Sequence, residues 1–265
     1  MPRFRTAQSL TAATTLLMVA QSSLGLVFND QYRDAAWIKA TWFGNDWVTL
    51  IVAVPLAIVA PRLANNGSPR GLLLWVGVLA YAIYNYAYYL FGAALNVFFP
   101  IYVAAWVSSA TAFVAVLLNV DPASIGADVL STIHSRLIGG YFAVVGIGLA
   151  GVWFTFWAAY VFAERPTPVD PEAFKLIAAL DISLMATALL AGGVLLWHRA
   201  PWGYPVATLA GVQATLYLLV LSVNSAIAGY GATAGSSELP LWGTLGACTA
   251  AATALLLVNV KRRRG

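Results

Sequence analysis

The length and purity of the apolar runs constrain this chain most. Residues 71–92, 137–162 and 204–228 each reach the roughly 20 residues that a helix needs to cross a hydrocarbon layer about 30 Å thick. A soluble domain of 265 residues has no interior able to hide such runs when 61% of its residues are hydrophobic and only 9% charged. In hydrocarbon each backbone N–H and C=O must be satisfied within its own segment, so the runs must be helices. The expected fold class is an all-α polytopic membrane bundle.

Eight crossings are expected, near residues 7–28, 40–60, 71–92, 95–118, 137–162, 170–199, 204–228 and 239–260. The second needs argument. Its plainly apolar part, residues 47–60, is too short to span, so the helix must begin upstream, between Ala35 and Ala40, and pass through Asp46. Pro55 then lies inside it and predicts a kink. Asp170, Pro171 and Glu172 signal the start of the sixth crossing as N-cap, first helical position and first-turn acid. Arg3 and Arg5 ahead of an apolar stretch look like a signal peptide, but no small-x-small cleavage site follows, so this stretch is read as the first crossing. A short interfacial helix is expected at 123–133. Cys248 has no partner for an intrachain disulfide and is read as a packing residue.

Eight crossings place both termini on one side, and the basic residues test that count. Arg3, Arg5, Arg62, Arg70, Arg136, Arg199, Lys261, Arg262, Arg263 and Arg264 then fall on the side of the termini, against Arg33, Lys39, Arg165 and Lys175 on the other. Positive residues concentrate on the cytoplasmic side, so both termini are expected to be cytoplasmic. The terminal Lys261–Arg264 cluster is read as a topology signal and not as a nucleic-acid site. Arg outnumbers Lys 11 to 3, which suits a GC-rich bacterial genome and hence a bacterial inner membrane.

The chain also compares with itself. At an offset near 136, Asp34 to Lys39 falls on Asp170 to Lys175, and with one residue of slippage Asp46 falls on Asp181. Pro69-Arg70-Gly71 falls on Pro201-Trp202-Gly203, and at an offset of 140 residues 99–120 lie over 239–260, matching Pro100 with Pro240 and Asn119-Val120 with Asn259-Val260. The single membrane domain (1–265) is therefore expected to contain two repeats, 1–120 and 134–260, of four helices each. An even number of crossings preserves direction, so the repeats would be parallel.

Asp46 and Asp181 are the residues on which function is expected to turn. An Asp at the middle of a membrane helix costs on the order of 3 kcal/mol on insertion scales, so it normally faces a protein interior or a wet cavity. With the repeats superposed, the two acids lie at similar depth in the outer half and are expected to face each other across a shared polar chamber. Gln21, Asn85, Asn96 and Asn224 fall at comparable depth, and Tyr81, Tyr84, Asn85, Tyr88 and Gly92 share one face of the third helix. Phenols and amides on that face would donate hydrogen bonds to a carboxylate or line a site for a proton, small molecule or lipid-like ligand. Blander readings compete with this one. Asp46 follows Gly44-Asn45 and would cap a broken helix; Asp181 would make a structural bond to Asn85 or Gln21; Tyr88 and Tyr89 would belong to an interfacial aromatic belt.

No Lys lies deep in a crossing, which excludes a retinal Schiff base, and neither Asp sits in the GxGD motif of intramembrane aspartyl proteases. Walker A, HExxH, GxSxG and DxxxD signatures are missing, and His134 and His198 have no ligand-spaced companions, so no metal or other cofactor is expected. The segments YYLFGAALNVFFPIYVAAW, WHRAPWGYP and GNDWVTLIVAVP resemble parts of uncharacterised bacterial multi-pass inner-membrane proteins, a resemblance that brings no activity and no residue roles. The expected function is a small secondary transporter or proton-coupled permease. The alternatives are a membrane enzyme acting on a lipid or isoprenoid, and a non-catalytic sensor or accessory subunit that assembles through small-residue faces at Gly146 and Ala150 of the fifth helix and Gly243, Ala247 and Ala251 of the eighth.

Overall fold

The computed structural model describes residues 4–122, 125, 132–231 and 238–260. Among them are eight helices long and apolar enough to cross a membrane: α1 (Arg5–Val27), α2 (Ile38–Asn65), α3 (Pro69–Gly92), α4 (Phe99–Leu117), α5 (His134–Ala163), α6 (Pro171–Trp197), α7 (Gly203–Ile227) and α8 (Leu239–Asn259). The protein is thus a multi-pass membrane protein of helical architecture. The interfacial helix expected at 123–133 and the basic cluster at 261–264 lie outside the described residues, apart from Ile125 and the first residues of the helix leading into α5.

Local chemistry sets the helix starts. Asp170 caps α6 by accepting from the backbone N–H groups of Glu172 at 3.0 Å and Ala173 at 3.4 Å. Ser68 caps α3 through Gly71 N–H at 3.2 Å, with Pro69 in the first turn. The helix of α2 runs unbroken through Asp46, as the length argument required, so Asp46 is not a cap. Where Pro55 predicted a kink, the helix widens into a π-helical stretch over Thr49–Ala53, closed by Val54 N–H bonding to Thr49 O five residues back. A second π-helical stretch occupies Asp181–Ala186 of α6, where Thr187 N–H reaches Ile182 O. No proline accounts for this one. Single π turns inside α-helices concentrate at functional sites.

Two helices form the centre of the bundle. Along the most apolar stretch of α3, 78% of residues are buried, and 56% for α7, against 22% for α5 and α8, so α3 and α7 are wrapped by protein while α5 and α8 mostly face outward. α3 packs on α2, α4, α7 and the first turns of α6; α7 packs on α6, α8, α3 and the first turns of α2. α1 closes one side against α4 and α2, and α5 closes the other against α6. Phe4 and Ala7 at the start of α1 cluster with Ala60, Ala64 and Val116, and Arg70 Nη2 donates to Val258 O near the end of α8 at 2.6 Å. The two ends of the described chain therefore lie at the same end of the bundle.

Small residues let neighbouring backbones touch. A Cβ on Gly193 of α6 would stand 2.5 Å from Gly139 O and 2.7 Å from Ala143 N of α5, and one on Gly77 of α3 would stand 2.5 Å from Val212 Cβ of α7. The Gly146 face, singled out for assembly, is already occupied by α6, with Ala186 O 2.9 Å from where a Cβ would be. Gly243 of α8 has nothing within 4 Å.

Gly193→Leu is expected to destabilise the bundle by about 2 kcal/mol, because rigid backbone opposes the added side chain. Gly148→Leu, at a position with nothing within 4 Å, is expected to leave stability unchanged. Thermal unfolding in detergent followed by tryptophan fluorescence separates the two outcomes.

Candidate functional site

Both aspartates are fully inside the protein, Asp46 at 0% exposure and Asp181 at 1%. Each carboxylate accepts three hydrogen bonds, all from neutral side chains. Asp46 Oδ1 accepts from Gln21 Nε2 of α1 at 3.1 Å and from Tyr89 Oη of α3 at 2.8 Å. Its Oδ2 accepts from Tyr32 Oη, in the connection between α1 and α2, at 2.7 Å. Gln21 is itself fixed, donating to Tyr32 Oη at 2.9 Å and accepting from Tyr86 Oη at 3.2 Å and Ser22 Oγ at 3.4 Å. Burial, then the neighbouring Asp46 carboxylate, raise the Tyr32 phenol above its ordinary pKa, so Tyr32 is a neutral donor across the accessible pH range.

An aromatic cluster encloses this first site. Tyr89 stacks on Trp42 with ring centroids 4.5 Å apart and on Tyr102 at 5.1 Å, while Phe98 meets Tyr32 edge-on at 5.8 Å. Asp34 ties the outer rim, accepting from Trp42 Nε1 at 3.0 Å and from Ala94 N–H at 2.8 Å. Helix α1 approaches closely only because residue 25 is glycine: a Cβ there would lie 2.5 Å from Asp46 Oδ2 and overlap the Tyr32 hydroxyl.

The second site ties α6 to α3, α5 and α7. Asp181 Oδ1 accepts from Tyr84 Oη of α3 at 2.5 Å, and Oδ2 accepts from Trp153 Nε1 of α5 at 2.9 Å and Tyr217 Oη of α7 at 3.2 Å. Tyr84 and Tyr217 meet edge-to-face at 5.0 Å, and Trp153 packs edge-on to Phe174 at 5.2 Å. Here the π-helical stretch begins at the acid itself, whereas in α2 it begins three residues after Asp46.

The two sites share no donor. They meet on opposite sides of α3, whose Tyr84 and Tyr89 are five residues apart, roughly 7.5 Å along the axis and about 140° around it. In place of the single chamber expected between the acids there are two closely packed carboxylate sites with separate donor sets, reached by Tyr84 and Tyr89 from different faces of α3.

The other residues singled out from the sequence are placed as follows. The Tyr81–Gly92 face of α3 is wedged between the two acid-bearing helices. Tyr81 Oη pairs with Thr49 Oγ1 of α2 at 3.0 Å and Tyr88 packs on Trp42 at 4.8 Å, while Tyr84 and Gly92 meet Asp181 and Leu176 of α6. Tyr89 is fully buried, so it does not belong to an interfacial belt. Asp181 bonds to neither Asn85 nor Gln21; Gln21 serves Asp46 instead. Asn96 folds back on its own turn, accepting from Phe98 N–H at 2.9 Å and donating to Tyr102 Oη at 3.4 Å. Asn224 of α7 lies against Gly44, two residues before Asp46, where a Cβ would overlap its Oδ1. Asn85 Nδ2 and Asn224 Oδ1 are buried without hydrogen-bond partners. Such orphaned groups cost about 1–3 kcal/mol each and are uncommon enough to mark a site. Tyr32, Tyr86, Tyr89, Trp153 and Tyr217, which do much of the binding, were not among the residues expected. Among the described residues no group of three or more His, Cys, Asp or Glu could hold a metal ion.

No family model, curated protein or solved structure matches this chain. Any functional reading rests on this geometry.

Tyr89→Phe is expected to lower stability by about 2 kcal/mol, the value of a hydrogen bond to a charged group, and Tyr81→Phe by about 1 kcal/mol, since Thr49 is neutral. In an Asp46→Asn background the extra cost of Tyr89→Phe should shrink to that of the neutral bond. A double-mutant cycle on thermal stability checks it.

Proposed function

We propose that the protein is a small proton-coupled secondary transporter, built from two parallel four-helix repeats, in which Asp46 and Asp181 are the proton-binding groups. One observation carries this reading: each acid sits at or beside a π-helical break in the second crossing of its half, and among the described residues no Lys, Arg or His is a partner of either. A buried carboxylate without a counter-cation gains most from binding a proton or a cation. A carboxylate offers about four acceptor positions and three are used at each acid, so a proton taking the fourth adds an O–H donor in a cage of donors, and a phenol or amide partner must reorient to accept it. At Asp181 the partners come from α3, α5 and α7, so a reorientation there acts on three helices at once. A π turn interrupts the regular α-helical bonding and is found most often at functional sites, which suits a moving part.

The packing supports the duplication. The contact of α2 with α7 has its counterpart in that of α6 with α3, and α3 against α7 is the seam that maps on itself. The α1–α4 packing is the exception: its counterpart, α5 with α8, is reduced to little more than Tyr141 Oη standing 2.7 Å from Thr249 Oγ1. The arrangement fits a pseudo-two-fold axis along the membrane normal, with rocking of one unit against the other at the α3–α7 seam. The distribution of basic residues supports a cytoplasmic location for both termini in a bacterial inner membrane. The unpaired Asn85 Nδ2, in α3 between Tyr84 and Tyr89, is the free donor we assign to substrate.

The three donors fixed on each carboxylate favour a second reading, a rigid scaffold in which the acids are structural clamps. Proteoliposomes separate the two. A transporter acidifies or alkalinises its lumen when an imposed gradient of its substrate is discharged, and a compound screen read by an internal pH dye identifies that substrate. Asp181→Asn is expected to abolish the coupled pH change, with at least a tenfold loss of rate. Infrared titration supplies a readout independent of substrate: a protonated-carboxyl band that grows as pH falls and is missing in Asp181→Asn supports proton binding. A folded protein with no such band, and with no compound moving protons, would leave the clamp reading in its place. Reporter fusions test orientation, with a C-terminal green fluorescent protein expected to fluoresce and a C-terminal alkaline phosphatase expected to be inactive.

A further inference from the structure

Far from both acids, α1 and the last turns of α2 diverge to leave a groove of about 730 Å³ at the end of the bundle where α1 begins. Its walls change character with depth. At the mouth stand Gln8, Arg62, Asn65 and Asn66, beside the turn that connects α2 to α3. Below them the groove is lined by Ala12, Leu16, Ala57 and Ile58. From Gln8 to Leu16 is roughly 12 Å along α1, most of the ~15 Å depth of one hydrocarbon leaflet. Leu16 at 71% exposure and Ile58 at 39% form a rim that opens sideways towards the bilayer.

The floor makes no demand for water. Thr11 Oγ1 donates to Ala7 O at 2.8 Å and accepts from Trp75 Nε1 at 2.9 Å, and Thr15 Oγ1 donates to Thr11 O at 2.7 Å, so the hydroxyls that line the groove are satisfied from within the protein. The space exists because the helix faces are small at Ala12 and Ala57 and because Pro61 stands within α2. Only the mouth is unsatisfied. The exposed Arg62 guanidinium donates to Ile58 O at 3.3 Å and, among the described residues, to no carboxylate, and none of the residues lining the groove is acidic. A cationic, amide-rich mouth over a dry apolar channel is complementary to a molecule with an anionic head and a hydrocarbon tail.

We propose that this groove binds one anionic phospholipid from the leaflet on the side of the termini, its phosphate on Arg62 and the upper part of one acyl chain between α1 and α2. Guanidinium matches phosphate geometry with paired N–H donors, and Gln8, Asn65 and Asn66 supply amide donors around it. The site is independent of the carboxylates and stands whether or not the protein transports.

Native mass spectrometry of the delipidated full-length protein tests this, titrating phosphatidylglycerol against phosphatidylcholine of identical chains. The expected result is a single high-affinity phosphatidylglycerol, at least fivefold preferred. Arg62→Gln should reduce that preference below twofold, and Arg62→Lys should keep part of it. Ala12→Phe, at an exposed position that fills the groove, should weaken binding of both lipids. Arg165→Gln, at the far end of the bundle, should change nothing, and thermal midpoints verify that each variant is folded. A preference that survives Arg62→Gln, or affinity that survives Ala12→Phe, overturns the assignment. So does displacement of the lipid by millimolar inorganic phosphate, which would mean that the head alone is recognised and the channel is idle.

Discussion

A carboxylate placed in a hydrocarbon slab must find its solvation within the protein, and the architecture of this bundle follows from how that is done twice. Six donors, three per acid, stand in for the water that the bilayer cannot supply. They come from α1, α3, α5, α7 and the α1–α2 connection, so placing two acids correctly fixes most of the helices relative to one another. Helix α3 contributes to both sets, through Tyr89 on one side and Tyr84 on the other. It is the most enclosed helix for that reason: a helix that must present donors in two directions cannot also present a face to lipid.

The packing around these bonds is of two kinds. Near Asp46 the space is filled by stacked rings, Trp42, Tyr89 and Tyr102 among them, whose large flat faces exclude water while their polar tips remain available. Between α5, α6 and α7 the contact is backbone on backbone, allowed by Gly139, Gly192 and Gly193. Between helices in a membrane there is little hydrophobic drive, so close approach and interhelical hydrogen bonds must supply cohesion. The half containing Asp46 relies more on rings and bonds; the other relies more on glycine. Both solve the same problem.

This division explains what the sequence revealed. Crossings were legible because hydrocarbon thickness sets a length that composition must satisfy, and the same reasoning carried α2 through Asp46 when its apolar run was too short. The acids were legible because a charge in such a helix is costly. Their partners were not. Tyr217 stands alone among leucines at the middle of α7 and Trp153 near the middle of α5, so the polar tip of a deep aromatic was a usable signal for both. Tyr32 carried none, since a connection residue reaches Asp46 only through the fold of the α1–α2 turn. The shared chamber was the natural inference from two acids at matching positions, and it failed on rotation about α3: five residues separate Tyr84 from Tyr89, and an α-helix turns that interval into nearly opposite directions. The π-helical stretches were equally invisible, because the one in α6 occurs with no proline to announce it.

The two sites differ in a way that matters for any moving part. Asp46 is bound by Gln21, Tyr32 and Tyr89, all from the first four crossings, so a change in its charge acts within one half. Asp181 is bound by Trp153 and Tyr217 from the second half but also by Tyr84 from the first, and its bond to Tyr84 is the shortest of the six. Tyr84 and Tyr217 are themselves in ring contact across the α3–α7 seam. The hydrogen bonds of Asp181 therefore cross the boundary between the first four helices and the last four, while those of Asp46 stay within the first four. The two acids thus have unequal connections, and the one that reaches across the seam is the one that begins a π-helical stretch at the acid itself. If the halves move against each other, Asp181 is the residue whose charge state decides when.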